Sequence, residues 1–237
     1  MEFIITRPEV HTTELKQQLQ GYPVTFLPVM KFEDYPDVLE HAATQVCDYI
    51  VTSPFVAKKM RDYPFDRNAY YYCVGQITAN ILGEFLPHVY APCAQNAHSL
   101  EQFIVQHHKP ERSDRLLVYL SGAEIRRPIH LSLMDQGIMC ERLIAYDTKS
   151  MTHDLTHLFS GTRPKCIVFY SKRSYDLFIA NVRMNGMVDK LAMHQALWVL
   201  PDSDHTKLKN YCDDTIWKDV KTLPSTIDLI HYIKTQG

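Results

Sequence analysis

The chain has 237 residues, 46% hydrophobic and 22% charged, which is enough apolar material for two small α/β units and too ordinary a composition for long disorder. A net charge of -2 with histidine neutral excludes the sequence-independent phosphate attraction of a nucleic-acid binder, so an anionic ligand has to be held by local groups. The opening Met1-Glu2-Phe3-Ile4-Ile5-Thr6-Arg7-Pro8 lacks the basic and apolar regions of a signal peptide, and no run approaches a membrane span, so the chain reads as cytoplasmic with no membrane partner.

Short apolar runs alternate with amphipathic segments along the whole chain, the pattern of strands followed by crossover helices. The fold class is therefore α/β with parallel sheets. Strands are predicted at Phe3 to Thr6, Val24 to Val29, Tyr49 to Thr52, Tyr70 to Val74, Leu116 to Leu120, Met139 to Tyr146, Cys166 to Tyr170 and Ala196 to Leu200. Each is apolar, four to eight residues long, and bounded by polar or Pro/Gly punctuation. Ser99 with Gln102 forms a capping-box pattern, and Ser225 or Thr226 can cap a closing helix that carries Ile227, Ile230 and Ile233. Cys47, Cys73, Cys93, Cys140, Cys166 and Cys212 stand singly, without a CxxC, and read as reduced core residues.

Two copies of one pattern can be followed through the chain. A strand ending at Thr6 is followed by Gly21 after 15 residues and Pro28 after 7 more; a strand ending at Ser121 is followed by Gly137 and Ile144 after 16 and 7. Likewise Asp48 to Phe55 parallels Lys165 to Lys172, each an apolar strand ending in a hydroxyl residue just before a helix. In a parallel sheet these strand ends are where ligands sit, and the unpaired amides of a helix's first turn hold carboxylates without a lysine. Ser53 and Ser171 are either N-caps alone or caps that also meet a ligand. Arg7, after the first strand, either points into the ligand crevice or is a surface arginine beside a turn proline. In Val74-Gly75-Gln76-Ile77-Thr78-Ala79, Gly75 permits close backbone approach and Gln76 opens a helix.

Other chemistries fail on inspection. His153 and His157 are spaced i, i+4 but bring no HExxH glutamate or third ligand, and Asp202, Asp204 and His205 lack the Gly and distal Glu of an EF-hand. No metal is expected. No Walker loop, GxGxxG, GxSxG or H-R-D pattern occurs.

The succession Ile5-Thr6-Arg7-Pro8, Gly21, Pro28, Val51-Thr52-Ser53, Val74 to Ala79, Gly83 and Ala91-Pro92 resembles the first half of the uroporphyrinogen-III synthase family. Leu120-Ser121-Gly122, Arg126, Leu133, Gly137, Ala145-Tyr146-Asp147-Thr148, Phe169-Tyr170-Ser171 and Leu223-Pro224-Ser225 resemble its second half. The resemblance implies two similar flavodoxin-like parallel-sheet lobes joined by a two-stranded linker, with a cleft between them. The first lobe is then 1–32 plus 147–237 and the second 33–146. It further implies cyclisation of hydroxymethylbilane to uroporphyrinogen III with inversion of ring D and loss of water, in haem biosynthesis. The enzyme is then a lyase needing no cofactor. The substrate is a linear tetrapyrrole with eight carboxylates that closes unaided to the wrong isomer, so the work is mostly folding and orienting it.

Tyr146 matches the family's cleft tyrosine, implied to hydrogen-bond the departing hydroxyl or a nearby carboxylate; packing in the hinge is its other reading. The residues implied to bind substrate are Thr6, Arg7, Ser53, Gly75, Gln76, Thr78, Gly122, Ser171 and Lys172. Two departures stand out. Leu200 to His205 keeps neither the Gly nor the Thr-Ala of the second glycine loop, and Lys172-Arg173-Ser174 is more basic than Pro54-Phe55 in the first copy. A monomer receiving substrate from hydroxymethylbilane synthase is expected, and a non-catalytic two-lobed binder of a small anion is the alternative.

Overall fold

The computed structural model describes residues 1–92, 96–108, 115–125, 127–161, 163–200 and 212–236. The strands are β1 (Glu2–Ile5), β2 (Val24–Phe26), β3 (Met30–Asp34), β4 (Cys47–Val51), β5 (Tyr71–Cys73), β6 (Val89–Tyr90), β7 (Leu116–Gly122), β8 (Cys140–Ser150), β9 (Lys165–Phe169), β10 (Gln195–Val199) and β11 (Asp219–Leu223). The α-helices are α1 (Thr13–Gln18), α2 (Pro36–Ala43), α3 (Pro54–Met60), α4 (Gln76–Gly83), α5 (Ala97–His107), α6 (Ile129–Asp135), α7 (Lys172–Met184) and α8 (Thr226–Gln236). They form two compact units: unit 1 is Met1–Phe32 with Lys149–Gly237, and unit 2 is Glu33–Thr148.

Unit 1 carries a parallel sheet in the order β11-β10-β9-β1-β2. Counted along that unit's own chain this is 2-1-3-4-5, the flavodoxin-like order. The second sheet runs β3-β8-β7-β4-β5-β6, parallel from β8 to β6. Read as β8-β7-β4-β5-β6 it has the same order, entered at its third strand. Thus β7 and β8 occupy in unit 2 the places that β1 and β2 occupy in unit 1, and β4 the place of β9. The tandem repeat has exchanged parts: the first copy gives two strands to unit 1 and three to unit 2, and the second copy does the reverse.

The repeated glycines agree with this correspondence. Gly21 has φ 87° and Gly137 φ 80°, each in the turn leading to the unit's second strand, a conformation that costs glycine nothing. The crossings between units are β3 and β8, which pair with each other. Tyr35 N–H donates to Ala145 and Met151 N–H to Val29, both at 2.9 Å, so the pair is antiparallel.

Both sheets are covered on two faces, which is why their central strands read as unbroken apolar runs. Every residue of β4 and of β10 is buried. In unit 1, α7 lays Tyr175, Phe178, Ile179 and Val182 against Phe169, Trp198 and Trp217. These side chains recur every three or four residues, one helix stripe, and each contributes about 2 kcal/mol by burial. A reciprocal Ser171–Ser174 capping box starts that helix, worth about 1 kcal/mol.

Several boundaries differ from the sequence expectation. β3, β6 and β11 lie outside the predicted strands: β3 and β11 are edge strands with alternating exposure and charges, and β6 has two residues. Ser99 does not cap α5; it lies at the third helical position, and its N–H donates to the Asn96 side chain at 2.9 Å. Ser225 does cap α8, accepting from Asp228 N–H at 3.2 Å. The 201–205 segment, Cys93 and Arg126 fall outside the described residues.

One buried group gives unit 1 a pH dependence. His194 is 1% exposed, its Nδ1 accepts from Lys165 N–H at 3.0 Å, and burial, with Lys165's charge second, pushes its pKa down to about 4. The unfolded chain therefore binds a proton between about pH 6.5 and 4 that the fold refuses. Stability from this group is complete above about pH 6.5 and falls by about 3 kcal/mol as pH drops through that window. His194→Gln, which keeps an acceptor, is expected to flatten the fall. Both tryptophans, Trp198 and Trp217, lie in unit 1, so urea titrations followed by tryptophan fluorescence from pH 7 to 5 measure it directly. Equal slopes in the two proteins would exclude His194.

Candidate active site

The carboxyl ends of β8, β7, β4 and β5 lie side by side in unit 2, and five sequence-predicted residues belong to this edge: Ser53, Gly75, Gln76, Gly122 and Tyr146. Tyr146 is brought here by an irregularity. The β7–β8 register runs from Leu117 opposite Cys140 to Ser121 opposite Ile144, then skips Ala145 and places Gly122 opposite Tyr146. A skipped residue is a bulge, which re-aims the side chain beyond it. Consequently Ala145 and Tyr146, neighbours in sequence, both pack on the same apolar cluster.

The Tyr146 ring rests on Gly122. A Cβ built on that glycine would fall 2.7 Å from Tyr146 Cζ and 2.9 Å from its hydroxyl oxygen. The same ring meets Phe55, at 5.2 Å between ring centroids and tilted by 60°. Phe55 belongs to the first turn of α3, whose N-cap is Ser53. The Ser53 side chain makes no capping bond, and Pro54 has no N–H to cap. Arg142, which no motif flagged, binds the bulge: Nε donates to Ser121 Oγ at 2.9 Å, and Nη2 to the Gly122 and Ala123 carbonyls at 2.7 Å each.

Beside it, Gly75 caps α4 with φ 84° and ψ 141°, a conformation essentially restricted to glycine. With no cap side chain, the first-turn amides of α4 are open to an anion. Gln76 is exposed and donates to Asn80 at 2.7 Å. Thr78 is 1% exposed, so it belongs to the wall behind this edge. Thr52 and Tyr119 join their hydroxyls at 3.1 Å across β4 and β7.

Unit 1 holds the remaining four. Thr6 is fully buried and donates to the Val168 carbonyl at 2.7 Å, tying β1 to β9. Arg7 stacks its guanidinium over Tyr170, 4.6 Å from the ring centroid. Burial raises the Tyr170 phenol above its ordinary value, and the charge of Arg7 opposes that rise. Ser171 Oγ is engaged in the capping box. Lys172 is exposed and pairs with Asp176 at 2.6 Å. The structure thus gathers the predicted residues into two sets, each at the carboxyl edge of its own sheet. Among the described residues no cluster of His, Cys, Asp or Glu could hold a metal.

Solved structures share this fold. A uroporphyrinogen-III synthetase from Helicobacter pylori aligns with a TM-score of 0.63 at 17% identity, over 100% of this chain and 99% of that one. A mutant uroporphyrinogen III synthase from the extremely thermophilic bacterium Thermus thermophilus aligns at 0.55 and 13% identity, over 100% of both chains. No curated protein matches the chain. The family described as Uroporphyrinogen-III synthase HemD matches residues 12–198, more than three quarters of the sequence. The chain belongs to the uroporphyrinogen-III synthase family. It is an enzyme of haem biosynthesis that cyclises hydroxymethylbilane to uroporphyrinogen III. The synthase match runs from α1 into β10, including the bulge, Gly122 and Tyr146.

Proposed function

We propose that this synthase works as a cofactor-independent lyase, with Tyr146 as its catalytic residue. The Tyr146 hydroxyl donates to the departing hydroxyl of hydroxymethylbilane, helping it leave as water, and the bound substrate then closes through its substituted ring D carbon. The observation that carries this reading is the seating of the Tyr146 ring on Gly122 at a strand-end edge, where a bulge turns it out of the regular register.

The substrate's carboxylates are held by Arg7, Ser171 and Lys172 in unit 1 and by Ser53, Gln76 and the Gly75 and Gly122 backbone in unit 2. Thr6 and Thr78 support these contacts from behind, which accords with their burial. Charge-assisted bonds to a guanidinium and to helix amides suit carboxylates in a nearly neutral protein. The protein acts as a monomer of two lobes, the first of them discontinuous in sequence, and takes its substrate from hydroxymethylbilane synthase. It works in the cytoplasm, where the free thiols Cys47, Cys73, Cys140, Cys166 and Cys212 stay reduced.

The test is a coupled assay in which hydroxymethylbilane synthase supplies substrate and the oxidised products are separated as type I and type III isomers. Type III is expected to dominate with the native protein. Tyr146→Phe is expected to lower type III turnover about tenfold, less than for an indispensable general acid, because the substrate is itself reactive. Its unfolding midpoint should hardly move. Full turnover in Tyr146→Phe would remove the tyrosine from the mechanism.

A further inference from the structure

We infer that Arg142 is a positioning residue of the cyclisation, holding the bulge that seats Tyr146; this rests on Tyr146 acting at the substrate. All three acceptors of its guanidinium lie within Ser121–Ala123, the residues that flank and include Gly122. The same segment is tied to the tyrosine's own backbone, since Ala123 N–H donates to the Tyr146 carbonyl at 2.8 Å. Arg142 itself stands on β8 four residues before Tyr146 and opposite Tyr119 in the regular part of the ladder. It therefore bridges the regular ladder and the irregular one.

The need for such a brace follows from the bulge. Where Ala145 is skipped the even spacing of the parallel ladder is interrupted, and carbonyls at the interruption require another donor. One planar fork supplies two adjacent carbonyls and a hydroxyl at once. A lysine ammonium could reach one of these acceptors but could not reproduce the fork. The position of the Gly122 backbone fixes the height of the Tyr146 ring above it, because the two are in contact. A displacement at Gly122 is thus passed to the tyrosine hydroxyl, and misplacements of about 1 Å are expensive in orientation-driven catalysis.

The experiment is a double-mutant cycle in the coupled assay, using the full chain. Arg142→Gln is expected to lower kcat for the type III isomer roughly tenfold with KM changed less than about twofold, since substrate carboxylates are held elsewhere. Arg142→Lys should recover part of the loss. In the Tyr146→Phe background, Arg142→Gln should cost almost nothing further, because the hydroxyl it positions is gone. The inference is overturned if Arg142→Gln turns over at the native rate, or if it costs the same factor with and without the Tyr146 hydroxyl. Should Arg142→Gln fail to fold, the cycle run with Arg142→Lys decides the same two points. The outcomes separate the two readings. A native rate in Tyr146→Phe sinks the tyrosine mechanism and this inference with it, whereas a slow Tyr146→Phe beside a native-rate Arg142→Gln sinks the inference alone.

Discussion

Gly122→Ala is expected to reduce type III turnover about tenfold, the loss expected of Tyr146→Phe, while costing only about 1–2 kcal/mol of stability. Gly122 is absent from the glycines with positive φ, so alanine meets no backbone penalty there and the substitution tests one contact. The new methyl would fall 2.7 Å from Tyr146 Cζ, closer than carbon atoms pack. Something must give, and the neighbours differ in how easily they move. The Gly122 backbone is held by Arg142, and its partner strand continues into a buried ladder. The Tyr146 ring is only half-buried, so the ring yields. Its hydroxyl then leaves the position that an orientation-dependent reaction requires. The assay is the isomer-resolved turnover alongside the urea midpoint. Native turnover in a folded Gly122→Ala would show that the placement of Tyr146 does not matter. A loss of activity matched by a collapse of the fold would show that Gly122 is structural.

How much of this is legible in the chain depends on whether the signal is local. Gly21 and Gly137 stand at matching distances behind Thr6 and Ser121, and both adopt the positive φ that only glycine takes easily. That spacing exposes the repeat, and the repeat exposes the paired strand ends. Ser53 and Ser171 are ambiguous in sequence between cap and ligand contact. In the fold Ser171 completes a capping box, while the Ser53 side chain makes no capping bond. What cannot be read is the bulge. A register skip belongs to two strands at once, so nothing in residues 139 to 146 alone distinguishes a regular strand from one that turns Tyr146 onto Gly122. Arg142 is invisible for the same reason, since its three acceptors lie about twenty residues upstream. β3 and β11 escape detection because edge strands tolerate charges, which erase the apolar run that marks a buried strand.

Arg115→Met is expected to destabilise unit 2 by about 3–5 kcal/mol. At the amino ends of β4 and β7, the Asp48 carboxylate is fully buried and lies 3.3 Å from Arg115 Nε. The same guanidinium donates to Asp66 at 2.5 Å and to the Cys47 carbonyl at 3.1 Å. Asp48 also accepts from Tyr70 N–H at 2.9 Å, fixing the start of β5 against β4. Removing the arginine leaves a desolvated carboxylate without this cation, and that exposed cost exceeds whatever the ion pair contributes in net terms. The physical cause can be isolated by changing Asp48 as well. Asparagine keeps an oxygen for Tyr70 N–H but carries no charge, so Asp48→Asn/Arg115→Met should be more stable than Arg115→Met alone. Urea unfolding followed by circular dichroism measures both. The two tryptophans, confined to unit 1, provide a separate record of the other unit. A double variant less stable than Arg115→Met would mean that the arginine acts through packing of its stem and its bonds to Asp66 and Cys47. A double variant that recovers stability would identify the buried charge of Asp48 as the group that Arg115 exists to compensate.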